Sequence, residues 1–181
     1  MCAYLDKLIA LMPPPASPID VDERVMRANE QILGIHFPPD YVAFSRVYGS
    51  GTIDVGNYWW KVESAAGPKL PHFILHYLCT RGGSRSRGFG EKLPFGLFPE
   101  RDGLLPFGYC DTDYFTWLVD GEPSTWKVVL NWSWADDAYA IFDMGFVEFW
   151  VKALSLQIEI PGYECDWNPA TDISFRPDLY G

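Results

Sequence analysis

Two apolar segments in the second half of the chain leave few architectures open. Tyr114 to Val119 and Lys127 to Trp132 are rich in β-branched and aromatic residues, and Asp120-Gly121-Glu122-Pro123 between them is turn chemistry. They read as an antiparallel pair of strands, with a third strand over Ala138 to Phe142. Further on, Phe146, Phe149, Trp150 and Ala153 recur at helical spacing and give a helix one strongly apolar face. A half-buried sheet and a one-sided helix both need cover, and they supply it to each other. The chain is therefore expected to be α+β: a single domain over residues 1 to 181 with a central, mostly antiparallel sheet covered by helices.

The first half fits the same plan. Tyr4 to Met12 is a short helix stopped by Pro13, Pro14 and Pro15. Asp20 with Glu23 fits a capping box, and Val21, Val25, Ala28 and Ile32 form a helical stripe that Gly34 ends. Pro38 and Pro39 pre-set a further helix, whose Tyr41, Phe44 and Tyr48 share a face before Gly49. Gly51 to Val62 reads as a hairpin turning at Gly56-Asn57, with Trp59 and Trp60 on opposite sides. Phe73, Ile74, Tyr77 and Leu78 make a stripe on a helix over Pro71 to Thr80. Arg81 to Gly103, rich in glycine and basic residues, is expected to be an irregular peripheral insertion. Leu93-Pro94-Phe95-Gly96 and Leu105-Pro106-Phe107-Gly108 read as two similar turns. The tail from Pro161 looks extended, either packed along the body or frayed.

Charge divides the chain. Residues 102 to 181 hold 14 acidic and 3 basic groups, a net of −11 within an overall −10. Such a field repels nucleic-acid phosphates and favours a cationic partner; simple solubility is the plain alternative. Asp6 and Lys7 interrupt any signal-peptide core in Met1 to Met12, and no apolar run reaches the ~20 residues a bilayer requires. Cys2, Cys79, Cys110 and Cys165 form no CxxC pair, so reduced thiols and a cytoplasmic location are expected, with no membrane partner.

Local chemistry is sparse. His72 and His76, four apart with Cys79 nearby, could ligate zinc, but a fourth ligand is not marked and an exposed helix face accounts for them. Asp111 with Asp113, and Asp136 with Asp137, could act as acid and base or hold a cation; solvated turns explain both pairs. No GxSxG exists, and the Gly-Arg tract Arg81 to Gly90 is short for an RNA-binding segment. No cofactor, metal or catalytic residue is expected.

Leu33-Gly34-Ile35-His36-Phe37-Pro38-Pro39-Asp40-Tyr41-Val42-Ala43-Phe44, followed by Tyr48-Gly49-Ser50-Gly51-Thr52-Ile53, resembles the amino-terminal signature of the SUKH superfamily of bacterial immunity proteins and fungal cell-wall-assembly regulators. Leu105-Pro106-Phe107-Gly108, the strand pair from Tyr114, Trp126 and the helix around Phe146 and Phe149 agree with that family in order. Phe37 and Ser45 depart from it, as do the Ser64 to Gly103 segment and the tail. The resemblance implies a non-enzymatic domain that binds a cognate protein toxin of a polymorphic toxin system, a basic nuclease being one candidate, or else a regulatory scaffold. The residues expected to meet such a partner are Asp111, Asp113, Asp120, Glu122, Trp132, Trp134, Asp136 and Asp137, as acidic groups and aromatic anchors.

Overall fold

The computed structural model describes residues 3–86, 94–132 and 139–178. Its helices are α1 (Ala3–Leu11), α2 (Glu23–Leu33), α3 (Pro39–Tyr48), α4 (Leu70–Ser86) and α5 (Phe146–Leu154). Its strands are β1 (Gly51–Val55), β2 (Tyr58–Val62), β3 (Gly96–Leu97), β4 (Gly103–Cys110), β5 (Asp113–Val119), β6 (Lys127–Asn131), β7 (Tyr139–Phe142) and β8 (Ile173–Pro177). They form one sheet in the order β7-β6-β5-β4-β2-β1-β8, antiparallel at every step, with β3 parallel on β4. The α+β fold with an antiparallel sheet under helices is thus the one its periodicities predict.

One sheet face carries the main core. Trp60, Phe107, Phe115 and Trp117 project from it and are buried under α3 and α5. Tyr41 meets Trp117 at 4.7 Å, and Phe146 lies 5.0 Å from Phe44 and from Phe107. Rings at these separations gain edge-to-face attraction beyond the area they remove from water. The other face is covered only in part: α4 seals Tyr77 over Leu104 and Val129, while Trp59 on β2 stays 43% exposed.

Four local readings change. Asp22, not Asp20, caps α2 by accepting the Arg24 N–H at 2.8 Å. Of the stripe Val21, Val25, Ala28 and Ile32, Val25 is half-buried and the other three face solvent, and the buried face is Met26 and Asn29. The polar Asn29 is core because its amide donates to the carbonyls of Ala65 and Gly67, both at 2.9 Å. The tract Leu105-Pro106-Phe107-Gly108 is no turn but the middle of β4: the ladder shifts register between Pro106 and Gly108, a bulge that absorbs the proline. Gly108 is required there, since a Cβ would stand 2.4 Å from the Lys61 carbonyl.

Of the expected Arg81 to Gly103 insertion, Arg81 to Ser86 continue α4, Gly96–Leu97 and Gly103 belong to the sheet, and residues 87–93 lie outside the described residues. The tail takes the packed one of its two expected courses, and does so as a strand. Residues Ile173 to Pro177 pair in register with the whole of β1, and Phe175 packs on Phe44 and Tyr48.

Between β2 and α4 the segment Glu63 to Gly67 is buried without regular structure, so its backbone needs side-chain partners. Tyr41 Oη donates to the Glu63 carbonyl at 2.6 Å; Ser45 and Ser50 hydroxyls accept from the N–H groups of Ala65 and Ser64 at 2.9 and 3.0 Å. Ser45, a departure from the family pattern, is explained by that bond. Gly49 makes the same junction possible from the other side: at φ 72° its backbone passes so near Ile19 that a Cβ would collide with that carbonyl oxygen at 1.8 Å.

Candidate functional site

Two surfaces meet at one end of the sheet. Cross-strand register places Arg176, Thr52, Lys61, Tyr109, Tyr114, Asn131 and Tyr139 in one row across the partly covered face. The α4 side of this row forms a cleft of about 400 Å³ lined by Glu63, Lys69, His72, Phe73, His76, Tyr109, Asp111 and Tyr114. Beyond it the face is open: Trp59 stands edge-on to Tyr109 at 6.1 Å, and the Arg176 guanidinium forks onto both Asp54 oxygens at 2.9 and 3.0 Å.

The tail builds the second surface. Ile160 and Trp167 are buried anchors, the latter donating its indole N–H to the Leu154 carbonyl at 3.0 Å and packing on Trp60. Between them Tyr163 contacts Tyr58 and Trp60 and donates its hydroxyl to Asp113 at 3.2 Å. The Glu164 N–H reaches the Tyr58 hydroxyl oxygen at 2.8 Å, and the Asp172 carbonyl accepts from Gly56 at 3.1 Å. These bonds carry Glu164, Asp166 and Asp172 to the β1–β2 turn, near Asp111 in the β4–β5 turn. All four carboxylates are exposed, and none forms an ion pair among the described residues. Hydrogen bonds from the Asn168 N–H and the Thr171 hydroxyl hold the Asp172 carboxyl below its usual range, so it stays charged.

The eight residues singled out from the sequence do not form one patch. Asp111 belongs to the acidic end. Asp113 is nearly buried beneath it and holds Tyr163. Trp132 is core, with its ring against Gly162 of the tail. Asp120 and Glu122 are exposed at the opposite end, separated from Asp111 by the seven-residue β5, roughly 20 Å. Trp134, Asp136 and Asp137 lie outside the described residues; their neighbours Asn131 and Tyr139 pair with each other at the Asp111 end. The sequence reading missed Glu164, Asp166 and Asp172, which only the anchoring of Tyr163 and Trp167 fixes in place. It also missed Glu63, whose signal was a lone acid following the apolar Val62 and preceding small residues.

Burial pushes the Cys110 thiol and the Tyr163 phenol upward, keeping both protonated. His72, His76 and Cys79 are exposed on α4, and no group of three or more metal-ligating side chains converges among the described residues. Among those residues no helix is long and apolar enough to cross a membrane.

A family model described as SUKH_6, SMI1-KNR4 cell-wall, matches residues 23–150, from the first residue of α2 to the middle of α5. No curated protein and no solved structure matches the chain. The matched stretch holds the Pro38-Pro39 helix entry, the β1–β2 hairpin, the central strands and the closing helix, well over half of the molecule, and the chain belongs to the SUKH family.

Proposed function

We propose that this chain is an immunity protein that neutralises a cognate toxin by covering its active site, docking through the acidic sheet end and the open face beside Trp59. SUKH proteins, immunity proteins and SMI1-KNR4 regulators alike, act by binding partner proteins. The observation that carries the reading is the set of exposed carboxylates Asp111, Glu164, Asp166 and Asp172 at the β1–β2 and β4–β5 turn end, which form no ion pair among the described residues, together with the exposed Trp59 on β2. A partly exposed Trp within a polar rim is the usual anchor of a specific protein interface. Carboxylates that form no internal ion pair are free to meet an incoming cation, and they complement the cationic cleft with which a nuclease holds phosphates. Inhibition of this kind requires no catalytic step, cofactor or metal, and it operates in the cytoplasm where the toxin's substrate lies.

The test is to express the neighbouring open reading frames with and without the chain and to search them for a toxin that it neutralises. Restored growth and a stable one-to-one complex are expected, both weakened by Trp59→Ala combined with Glu164→Lys. Growth arrest that the chain never relieves, with no complex formed, rules out the immunity role. A complex with several unrelated signalling proteins instead would favour the regulatory scaffold, the reading that the cell-wall description of the family supports.

A further inference from the structure

We infer that the cleft between α4 and the sheet is a receptor for a single arginine side chain, which sets its guanidinium against the Glu63 carboxylate and its flat face on the Tyr109 ring. The inference rests on the binding reading only for the identity of the protein that carries the arginine. The chemistry of the cleft stands on its own.

Glu63 is held from both sides. Its N–H donates to the Phe107 carbonyl at 3.0 Å and its carbonyl accepts the Tyr41 hydroxyl, so the side chain cannot swing out by a local backbone change. That side chain is only 10% exposed, yet its carboxylate accepts no hydrogen bond among the described residues. Its nearest cation, the Lys61 ammonium, forms a long ion pair with it at 3.8 Å and gives its hydrogen bond to Asp178. A buried carboxylate without a donor is costly, and folded proteins rarely leave one unless something else completes it.

Charge around Glu63 points the same way. Lys61 on β2 and Lys69 before α4 face it, together with Asp178 beyond β8 and Asp20 before α2. Two ammonium groups thus stand against three carboxylates, and Asp111 adds a further negative charge at the other end of the cleft. Among the described residues that face Glu63, carboxylates outnumber ammonium groups by one, and the Arg81 guanidinium on Tyr114 offsets Asp111 along the wall. Burial raises the Glu63 carboxyl above the ordinary glutamate range, the response of an acid whose charge is under-compensated.

The walls select the type of cation. Phe73, Tyr109 and Tyr114 lie within 6.4 Å of one another at interplanar angles between 28° and 43°, so they present a layered aromatic wall. One guanidinium already uses it: Arg81 sits over the Tyr114 ring at 5.5 Å, which leaves Tyr109 for an incoming group. A planar, weakly hydrated guanidinium stacks on such rings and forks onto a carboxylate; a compact ammonium does one but not the other. His72 and His76 close the rim from α4.

The experiment titrates N-acetyl-arginine amide and its neutral isostere, N-acetyl-citrulline amide, into the full chain, following backbone amides by heteronuclear NMR. Arginine amide is expected to give saturable shifts at Glu63, Phe73, Tyr109 and Tyr114, with citrulline amide about tenfold weaker or more, because a hydrogen bond to a charged group carries at least that factor. Glu63→Gln should remove the difference between the two probes. Equal responses to both, shifts clustered elsewhere, or an undiminished preference for arginine in Glu63→Gln each overturns the inference. Were the variant to misfold, the two probes on the unaltered chain still decide. Failure to neutralise any toxin, with arginine selectivity intact, would count against the proposed function and leave the receptor standing.

Discussion

Single residues in this protein hold elements far apart in the chain. Asp40 sits at the start of α3, where its carboxylate accepts the Tyr41 N–H at 2.9 Å and, with its other oxygen, the Val147 N–H of α5 at 3.0 Å. It therefore caps two helix starts with one side chain. Asp40→Ala is expected to cost about 1–2 kcal/mol of unfolding free energy, and Asp40→Asn less, measured by urea denaturation. The sequence shows Pro38-Pro39-Asp40 as a helix entry, but nothing in it shows the reach to Val147, which depends on how α3 and α5 pack.

Glu63 makes a second residue-scale case. Its folded carboxyl holds a proton to higher pH than the unfolded one, so its protonated form contributes stability that is complete below the ordinary value of 4.5 and lost as pH rises through the folded value. Glu63→Gln should accordingly raise the urea midpoint near about pH 7 and leave it unchanged near about pH 3.5. A lower midpoint at neutral pH would mean that the ion pair with Lys61 outweighs the burial.

At the scale of elements, legibility followed the periodicity of apolar residues and failed where a polar or ring-closed residue took a core position. The β1–β2 hairpin, β5, β6, α3 and α5 all show in the sequence, since each has a one-sided apolar pattern and a turn signal at its end. On α2, the apolar stripe through Ala28 and Ile32 faces water because Asn29, on the buried face with Met26, is needed to satisfy the carbonyls of the buried 63–67 segment. On β4, proline and glycine disguise a central strand as a turn. The tail hides β8 because Ile173 to Pro177 gains its meaning only from its partner β1. Phe175 alone should account for much of that docking: Phe175→Ala is expected to cost about 3 kcal/mol by chemical denaturation, whereas a frayed tail would show no change. Replacing Arg81 to Gly90 with a linker would also shorten α4 and remove the Arg81 contact with Tyr114.

For the molecule as a whole, the sequence displayed a charge asymmetry but not its shape. Fourteen acidic residues follow residue 101, and those among the described residues divide between the two ends of the sheet, α5 and the tail. Only the crossing of the tail over the β1–β2 and β4–β5 turns concentrates some of them. With a Debye length of about 10 Å at 0.1 M salt, a field of this kind acts on encounter more than on the packed contact. Changing Asp111, Glu164, Asp166 and Asp172 together to Asn should slow association with a cationic toxin by about tenfold at low ionic strength, with dissociation little altered. Stopped-flow measurements at several salt concentrations decide the matter, and equal association rates for the two proteins would reduce the acidic end to a solubilising surface.

The pairing of β8 with β1 also sets an order of events during synthesis. Residues 51 to 55 emerge early, and their outer backbone edge has no strand to pair with until residues 173 to 177 follow, more than a hundred residues later. A ribosome adding about 5–20 residues per second leaves that edge open for several seconds. Through this interval the nascent domain presents an unpaired strand to its neighbours, so its yield in the cell should depend on translation speed and on chaperones that shield strand edges.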